Sequence, residues 1–303
     1  MKKINLTQQL QGSIFMILFT VFAPFIDTLA KILSKELPPI EIALIRVTIQ
    51  CLILLPIILA RKKNLYLWPS QIHLHFFRGF FLASVAVIFF TALQLMPIAD
   101  AVAIFFVEPL ILTILSSIFL KEKVGWKRMI AIGFGFIGAL LVIQPSFENV
   151  GWAAALPLAA AFCFACYLII TRVVSQNTDT YVMQFYAGFF ALIILGIINL
   201  LAGYTNTIFT PVFPSLNAVW LLLCLGFVAT SAHILLVLAF KKAQASVLAP
   251  LQYLEIIGAT ILGLLVFKEF PSITTWCGIL IIVGTGLFVM FREQKLQKIK
   301  EYN

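Results

Sequence analysis

Apolar residues in this chain occur in long continuous runs, which charged residues, prolines, glycines and asparagines interrupt. Most runs are close to the roughly 20 residues that a helix needs to cross the hydrocarbon layer of a membrane. A strand of a membrane barrel would instead alternate apolar and polar residues over about ten positions. The pattern therefore predicts ten membrane-spanning helices, at residues 13–33, 40–60, 76–95, 98–120, 129–144, 151–171, 181–203, 218–239, 246–267 and 273–291.

The composition agrees with this prediction. Of the 303 residues, 62% are hydrophobic and 11% are charged, and the mean hydropathy is +1.07. Soluble domains contain about 45–50% apolar and about 25% charged residues, so a soluble globule of this composition would expose a very large apolar surface. Disordered chains are polar and rich in charge. The composition therefore excludes a soluble globular protein and a disordered chain. The expected fold class is an all-α integral membrane protein.

Positive charges are distributed unevenly over the segments that connect the predicted spans. Cytoplasmic loops of membrane proteins carry an excess of lysine and arginine, and this excess predicts that both termini are cytoplasmic. Lys35 and Lys268 would then lie outside. The net charge of +9 thus marks the cytoplasmic side rather than a surface for nucleic acid. The cytoplasmic segments would hold Lys2, Lys3, Arg61, Lys62, Lys63, Lys121, Lys123, Lys127, Arg128, Arg172, Lys241, Lys242, Arg292, Lys295, Lys298 and Lys300.

Two segments of the chain repeat one another. Residues 92–123 align without a gap to residues 239–270, so that Glu108 matches Glu255 and Glu122 matches Glu269. The chain then divides into two halves of five predicted spans each, residues 1–147 and 148–303. Because five is an odd number, the halves would cross the membrane in opposite orientations, as the inverted repeats of many secondary transporters do.

Ionisable residues inside the predicted spans are candidates for substrate contacts, because a charge at the bilayer centre costs at least about 2.5–3.5 kcal/mol. Glu108 and Glu255 lie near mid-span, where each could bind a cation, exchange protons or tie two helices together. Asp27 and Lys31 are four residues apart and share a helix face. Arg46 has forked donors that suit a carboxylate or phosphate. The alternative for these last three residues is an internal network of salt bridges.

Four further polar residues complete the predicted substrate site. His233 stands alone in span eight, where it could relay protons or contact a ligand. Tyr167, Gln252 and Tyr253 could stack on a flat substrate and hydrogen-bond to it. Core packing is the alternative interpretation for these three residues.

Other polar residues are expected to lie outside the site. Arg78, at the inner end of span three, is expected to extend its charge to the membrane interface. His73 and His75, just before it, are expected to lie at the interface too. The cysteines lie in separate apolar runs and predict neither a disulfide framework nor a metal site; they are Cys51, Cys163, Cys166, Cys224 and Cys277.

The two halves, each closing with an apolar span and Lys-Glu, resemble the EamA family of the drug/metabolite transporter superfamily over nearly the whole chain. Within it, residues 249–255 (APLQYLE) and 267–271 (FKEFP) look most like S-adenosylmethionine uptake carriers. The resemblance implies a secondary transporter of the bacterial inner membrane. It would move S-adenosylmethionine, or a related amino-acid or nucleoside-like compound, by alternating access.

Other functions stay open at this point. They are an exporter of amino acids or other metabolites, a riboflavin-type vitamin carrier, a channel, and an assembly subunit without a substrate. An integral-membrane enzyme acting on lipids would need a clustered nucleophile or metal set, and no such motif occurs in the sequence. We expect no enzyme activity, no cofactor and no nucleic-acid partner. The expected partners are a small-molecule substrate and the lipid bilayer, with protons as a candidate coupling ion and a homodimer as a candidate assembly.

Overall fold

The computed structural model describes residues 6–62, 71–96, 98–122, 125–143, 151–204 and 214–268, with isolated positions between 273 and 288. Within these residues the secondary structure is helical, and a short 3₁₀ turn (Gly151–Ala154) precedes the seventh helix. The helices are α1 (Leu6–Leu33), α2 (Pro39–Ala60), α3 (Ile72–Leu95), α4 (Ile98–Phe105), α5 (Glu108–Phe119), α6 (Trp126–Ile143), α7 (Ala155–Val174), α8 (Thr180–Tyr204), α9 (Leu216–Lys242), α10 (Ala245–Gln252) and α11 (Glu255–Phe267).

Seven helical segments of the described chain are long and apolar enough to cross a membrane, which makes this a multi-pass membrane protein. Two further apolar helices, Glu108–Phe119 and Met129–Gly138, are shorter. Most of the predicted tenth span, 273–291, lies outside the described residues. The count of ten therefore stays a prediction. The seven segments are Thr7–Leu33, Pro39–Ala60, Ile72–Leu95, Trp152–Val174, Thr180–Leu201, Leu216–Lys242 and Ala245–Phe267.

Two of the predicted spans are not continuous helices. The predicted span 98–120 divides into α4 and α5, and the span 246–267 divides into α10 and α11. At each division the backbone tightens into a 3₁₀ turn, with the N–H of Val107 donating to the Ile104 carbonyl and that of Leu254 to the Leu251 carbonyl. Pro109 accounts for the first division, because it lacks the N–H that a continuous α-helix would donate to the Phe105 carbonyl, whereas Pro250 lies inside α10, ahead of the second division.

The aligned segments of the two halves have matching local structure. The offset that relates Ile98 to Ala245 also relates Glu108 to Glu255, so α4 and α5 begin where α10 and α11 begin. Each pair of helices is followed by a lysine in the left-handed backbone region, Lys121 with a φ of 53° and Lys268 with a φ of 57°. Both mid-span glutamates therefore begin a helix directly after a break.

The largest helix interfaces join one half of the chain to the other. Helix α1 packs against α9 and α11, α2 packs against α8 and α9, and α3 packs against α7 and α8. Helix α5 contacts α7 and α10 in the same way. The main hydrophobic core is therefore built by both halves together, and any space left between these helices is bounded by both.

One of the closest inter-helix contacts depends on a glycine. A Cβ atom added at Gly79 of α3 would lie 2.5 Å from the Cβ of Phe190 and 2.9 Å from the backbone nitrogen of Ala191 in α8. Small residues allow such close approach of helices in membrane proteins. Gly196, further along α8, has no atom within 4 Å of the equivalent position.

These two glycines provide a matched test of the packing. We expect Gly79→Ala to destabilise the fold by about 1–3 kcal/mol, because the added methyl group forces α3 and α8 apart. Gly196→Ala should be neutral or stabilising, since alanine favours the helix by up to about 1 kcal/mol. Thermal unfolding of the purified protein in detergent measures both effects, and equal midpoints for the two variants would contradict the proposed contact.

Candidate functional site

A cavity lies between the helices and is lined by residues of α1, α2, α3, α4, α7, α9 and α11. It has a volume of about 80 Å³. Helices of both halves line it, and most of its wall is apolar. The aromatic part of the wall consists of Phe19, Phe89, Phe90, Phe105 and Phe164.

Four ionisable side chains interrupt this apolar wall. They are Asp27 of α1, Arg46 of α2, His233 of α9 and Glu255 of α11. The fold thus brings together four of the nine residues that the sequence predicts for a substrate site. Convergent polar groups in an apolar pocket are the usual composition of a ligand site.

The carboxylates form an acidic pole of the cavity. Glu255 interacts electrostatically with Asp27 and also with Glu108. Glu108 is buried outside the cavity wall with the amide of Gln252 beside it, yet Oε1 of Glu108 and Nε2 of Gln252 have no hydrogen-bond partner in the described structure. Asp27 likewise forms no hydrogen bond or ion pair with a described residue. Unpaired acids in an apolar wall favour binding of a cation.

Arg46 and His233 are the two basic side chains of the cavity wall. Arg46 is buried, its Nε has no hydrogen-bond partner, and no ion pair joins it to Asp27 or Glu255 among the described residues. Nδ1 of His233 lies 2.9 Å from the Ala229 carbonyl. Because a carbonyl only accepts, this contact favours the tautomer with the proton on Nδ1 and leaves Nε2 as an acceptor.

The other predicted residues lie outside the cavity wall. The hydroxyl of Tyr253 donates to the Ile132 carbonyl at 3.4 Å, and its ring packs on Gly135. Nζ of Lys31 lies 4.9 Å from the centre of the Phe267 ring. The Tyr167 ring stacks on Phe164 and meets the edge of His233 at 6.2 Å, so Tyr167 supports the wall from behind. Their contact with a substrate stays a prediction, as it does for Glu108 and Gln252.

Arg78 does not extend to the membrane interface, and that expectation is wrong. Its side chain is fully buried and donates hydrogen bonds to Thr171 Oγ1 (3.0 Å), the Met183 carbonyl (2.8 Å), Tyr167 Oη (2.9 Å) and Gln184 Oε1 (3.3 Å). The guanidinium therefore links α3 to α7 and α8. Four acceptors from two packed helices thus satisfy the guanidinium, although the position of Arg78 near the beginning of α3 suggests exposure to solvent.

His75 is also buried rather than interfacial. Its ring centre lies 5.0 Å from that of Tyr186, and its Nδ1 has no hydrogen-bond partner in the described residues. Close by, Gln50 Nε2 donates to the Gln184 carbonyl at 2.9 Å. The sequence contains one indication that His75 and Arg78 are buried together, because they are three residues apart and share one helix face.

The model of the EamA-like transporter family matches residues 10–144 and 151–292. This chain belongs to the EamA-like transporter family.

Several named relatives cover almost the whole of this EamA family member. An S-adenosylmethionine uptake transporter of Rickettsia bellii is 29% identical over 89% of this chain and 89% of its own length. A riboflavin transporter of Vibrio cholerae is 28% identical over 94% of this chain and 95% of its own. The pseudopaline exporter CntI of Pseudomonas aeruginosa is 28% identical over 88% and 93%.

The fold agrees with a solved structure as well. That crystal structure superimposes with a TM-score of 0.77 at 18% identity, covering 96% of this chain and 99% of the other. At this identity the likeness concerns the fold alone. The named relatives are all transporters of small metabolites, and this EamA family member is a small-metabolite transporter too.

The Arg78 network provides a stability prediction. Arg78→Lys replaces three donor nitrogens with one, so some of the buried acceptors lose their hydrogen-bond donor. We expect a loss of about 2 kcal/mol or more, measured by thermal unfolding in detergent. Arg61→Lys is the matched control, because Arg61 is exposed and packs over the ring of Tyr181. An Arg78→Lys midpoint equal to that of Arg61→Lys would refute the structural role.

Proposed function

We propose that this EamA family member carries S-adenosylmethionine, or a related amino-acid or nucleoside-like compound, across the bacterial inner membrane. The observation that carries this proposal is that Asp27, Glu255, Arg46 and His233 line one cavity, with no ion pair between them in the described structure. S-adenosylmethionine has cationic sulfonium and amino groups that suit the acidic pole. Its carboxylate suits the forked donors of Arg46. Relatives named for S-adenosylmethionine uptake support the same substrate.

A flat vitamin is the second candidate substrate. The aromatic wall of the cavity favours stacking with a planar ring, and relatives are named as riboflavin transporters. Riboflavin has no cationic group, however, so it would leave Asp27 and Glu255 unpaired. This difference in charge favours the first candidate and distinguishes the two experimentally.

We further propose that transport proceeds by alternating access between two inverted halves, residues 1–147 and 148–303, of five spans each. The matched bounds of α4–α5 and α10–α11 support the repeat, and the distribution of positive charge supports cytoplasmic termini. A central cavity lined by both halves is where such transporters bind their substrate. Rocking of one half against the other would then expose the cavity to each side in turn.

The transport prediction concerns counterflow in proteoliposomes loaded with unlabelled S-adenosylmethionine. We expect the wild-type protein to accumulate radiolabelled S-adenosylmethionine. Glu255→Gln, Asp27→Asn and Arg46→Gln should each reduce the initial rate about tenfold or more, because each removes one charge-assisted contact. Glu41→Gln and Arg61→Gln are matched controls outside the cavity, and both should retain the wild-type rate.

Each part of the proposal can fail separately in this assay. Exchange of riboflavin without exchange of S-adenosylmethionine would identify riboflavin as the substrate and refute the first candidate. Cavity variants that transport as fast as Glu41→Gln and Arg61→Gln would refute the site, whatever metabolite is carried.

Protons are the coupling ion that we propose. Two neighbouring carboxylates in apolar surroundings repel each other, and either a proton or the cationic part of a substrate relieves that repulsion. An imposed pH gradient should therefore change the uptake rate of the wild-type protein, and Glu255→Gln should abolish this response. Uptake that is indifferent to the gradient in both proteins would exclude proton coupling.

A further inference from the structure

A second cluster of charges lies at the end of the bundle where α5, α7 and α9 end and α10 begins. Glu122 follows α5 directly after the left-handed turn at Lys121, and only 6% of its surface is exposed. Its carboxylate accepts hydrogen bonds from the backbone N–H groups of Ala245 (3.3 Å) and Ser246 (3.1 Å), and from the Ser246 hydroxyl (2.9 Å). A residue of the first half therefore caps the start of α10 in the second half.

Arg172, near the end of α7, completes the cluster. Its Nε lies 3.8 Å from Oε1 of Glu122, and the side chain is almost fully buried. Its Nη1 donates to the carbonyl of Phe240 and, at 3.5 Å, to that of Lys241, near the end of α9. Glu122, Arg172 and Ser246, which we call the clasp, thus hold together the ends of α5, α7 and α9 and the beginning of α10.

The clasp lies one short helix away from the cavity. Helix α10 begins at Ala245 beside Glu122, and after its last residue the chain turns and reaches Glu255 of the acidic pole. Eight residues of α-helix span about 12 Å. A movement that frees the beginning of α10 would therefore displace the break that positions Glu255.

The chemistry of the clasp suits a contact that opens repeatedly. A buried ion pair adds little net stability, because the loss of hydration nearly balances the attraction between the charges. For the same reason, water that enters when the clasp opens hydrates both charges and compensates for the lost contact. Purely apolar packing at this position would have no such compensation, and its opening would expose hydrophobic surface.

We propose that the clasp is the gate that separates the cavity from this end of the bundle, the cytoplasmic end in the proposed topology. Opening requires Glu122 to release the beginning of α10 and to part from Arg172. This inference rests on the proposed alternating access but on no particular substrate. Glu122 and Arg172 are accordingly positioning residues, which act on the cavity through α10.

Cysteine accessibility tests the gate without any substrate. In a variant whose five native cysteines are serine, Ala249→Cys places a reporter in α10 between the clasp and the cavity, at a position that is fully buried. Ala86→Cys places a second reporter in the cavity wall. The measurement is the rate at which each reporter reacts with a membrane-impermeant maleimide in lipid nanodiscs.

Glu122→Gln should raise the labelling rate of the Ala249→Cys reporter about tenfold or more, because losing the charge weakens three hydrogen bonds of the closed state. Ser246→Ala removes one of the three, so it should raise the rate in the same direction by a smaller factor. The Ala86→Cys reporter should not become faster in either variant, since opening at one end accompanies closure at the other.

Asp179→Asn is the matched control. Asp179 lies at the same end, and its Oδ1 accepts the backbone N–H of Tyr181 at 3.0 Å, so it caps the beginning of α8. This variant should leave both reporters at their original rates. Unchanged labelling in both Glu122→Gln and Ser246→Ala would overturn the gate. A parallel rise of both reporters would overturn it too, because that result indicates a loosened bundle.

The accessibility assay and the transport assay fail independently. If the clasp variants expose Ala249→Cys as expected while no S-adenosylmethionine is exchanged, the gate stands and the proposed substrate is wrong. If S-adenosylmethionine is exchanged but the reporters do not respond to the clasp variants, the proposed function stands and the gate is refuted.

Discussion

Ionisable side chains inside this bundle must find partners among its own helices, because hydrocarbon cannot hydrate them. The structure meets this constraint in two ways. Arg78 is satisfied by neutral acceptors of α7 and α8, and Glu122 by Arg172 and the first N–H groups of α10. Asp27 and Arg46, by contrast, face a cavity and have no ion pair among the described residues. The same physical constraint thus separates charges that hold helices together from charges that remain available to a ligand.

The cavity exists because the two halves of the chain pack into each other rather than side by side. Helix α1 lies against α9 and α11, and α3 lies against α7 and α8. Glu255 therefore reaches the same space as Asp27, although more than two hundred residues separate them in the sequence. The breaks before Glu108 and Glu255 place both carboxylates at the beginnings of helices, and only the second of them lines the cavity. Equivalence in the sequence does not make the two positions equal in the fold.

Much of the architecture could be predicted from the sequence, since a continuous apolar run has few stable arrangements in a membrane. Predicted spans and observed helices agree closely for 40–60 and 181–203. The cost of burying charge also singled out Asp27, Arg46 and Glu255, which do meet at one cavity. The clasp was missed because Glu122 and Arg172 fall at the ends of apolar runs, where a charge is ordinarily solvated. Nothing in their spacing indicates that two such ends, fifty residues apart, meet in a buried contact.

The sequence alone determined that the chain is a helical membrane protein, that its aligned segments repeat, and that very few charges occur inside its spans. These properties follow from hydrophobicity and helical period, which act locally along the chain. Only the tertiary structure decided which of those charges share a cavity and which are paired with neighbouring helices. That decision depends on distances between helices far apart in sequence, and a difference of a few ångströms determines whether a charge meets a partner or an open space.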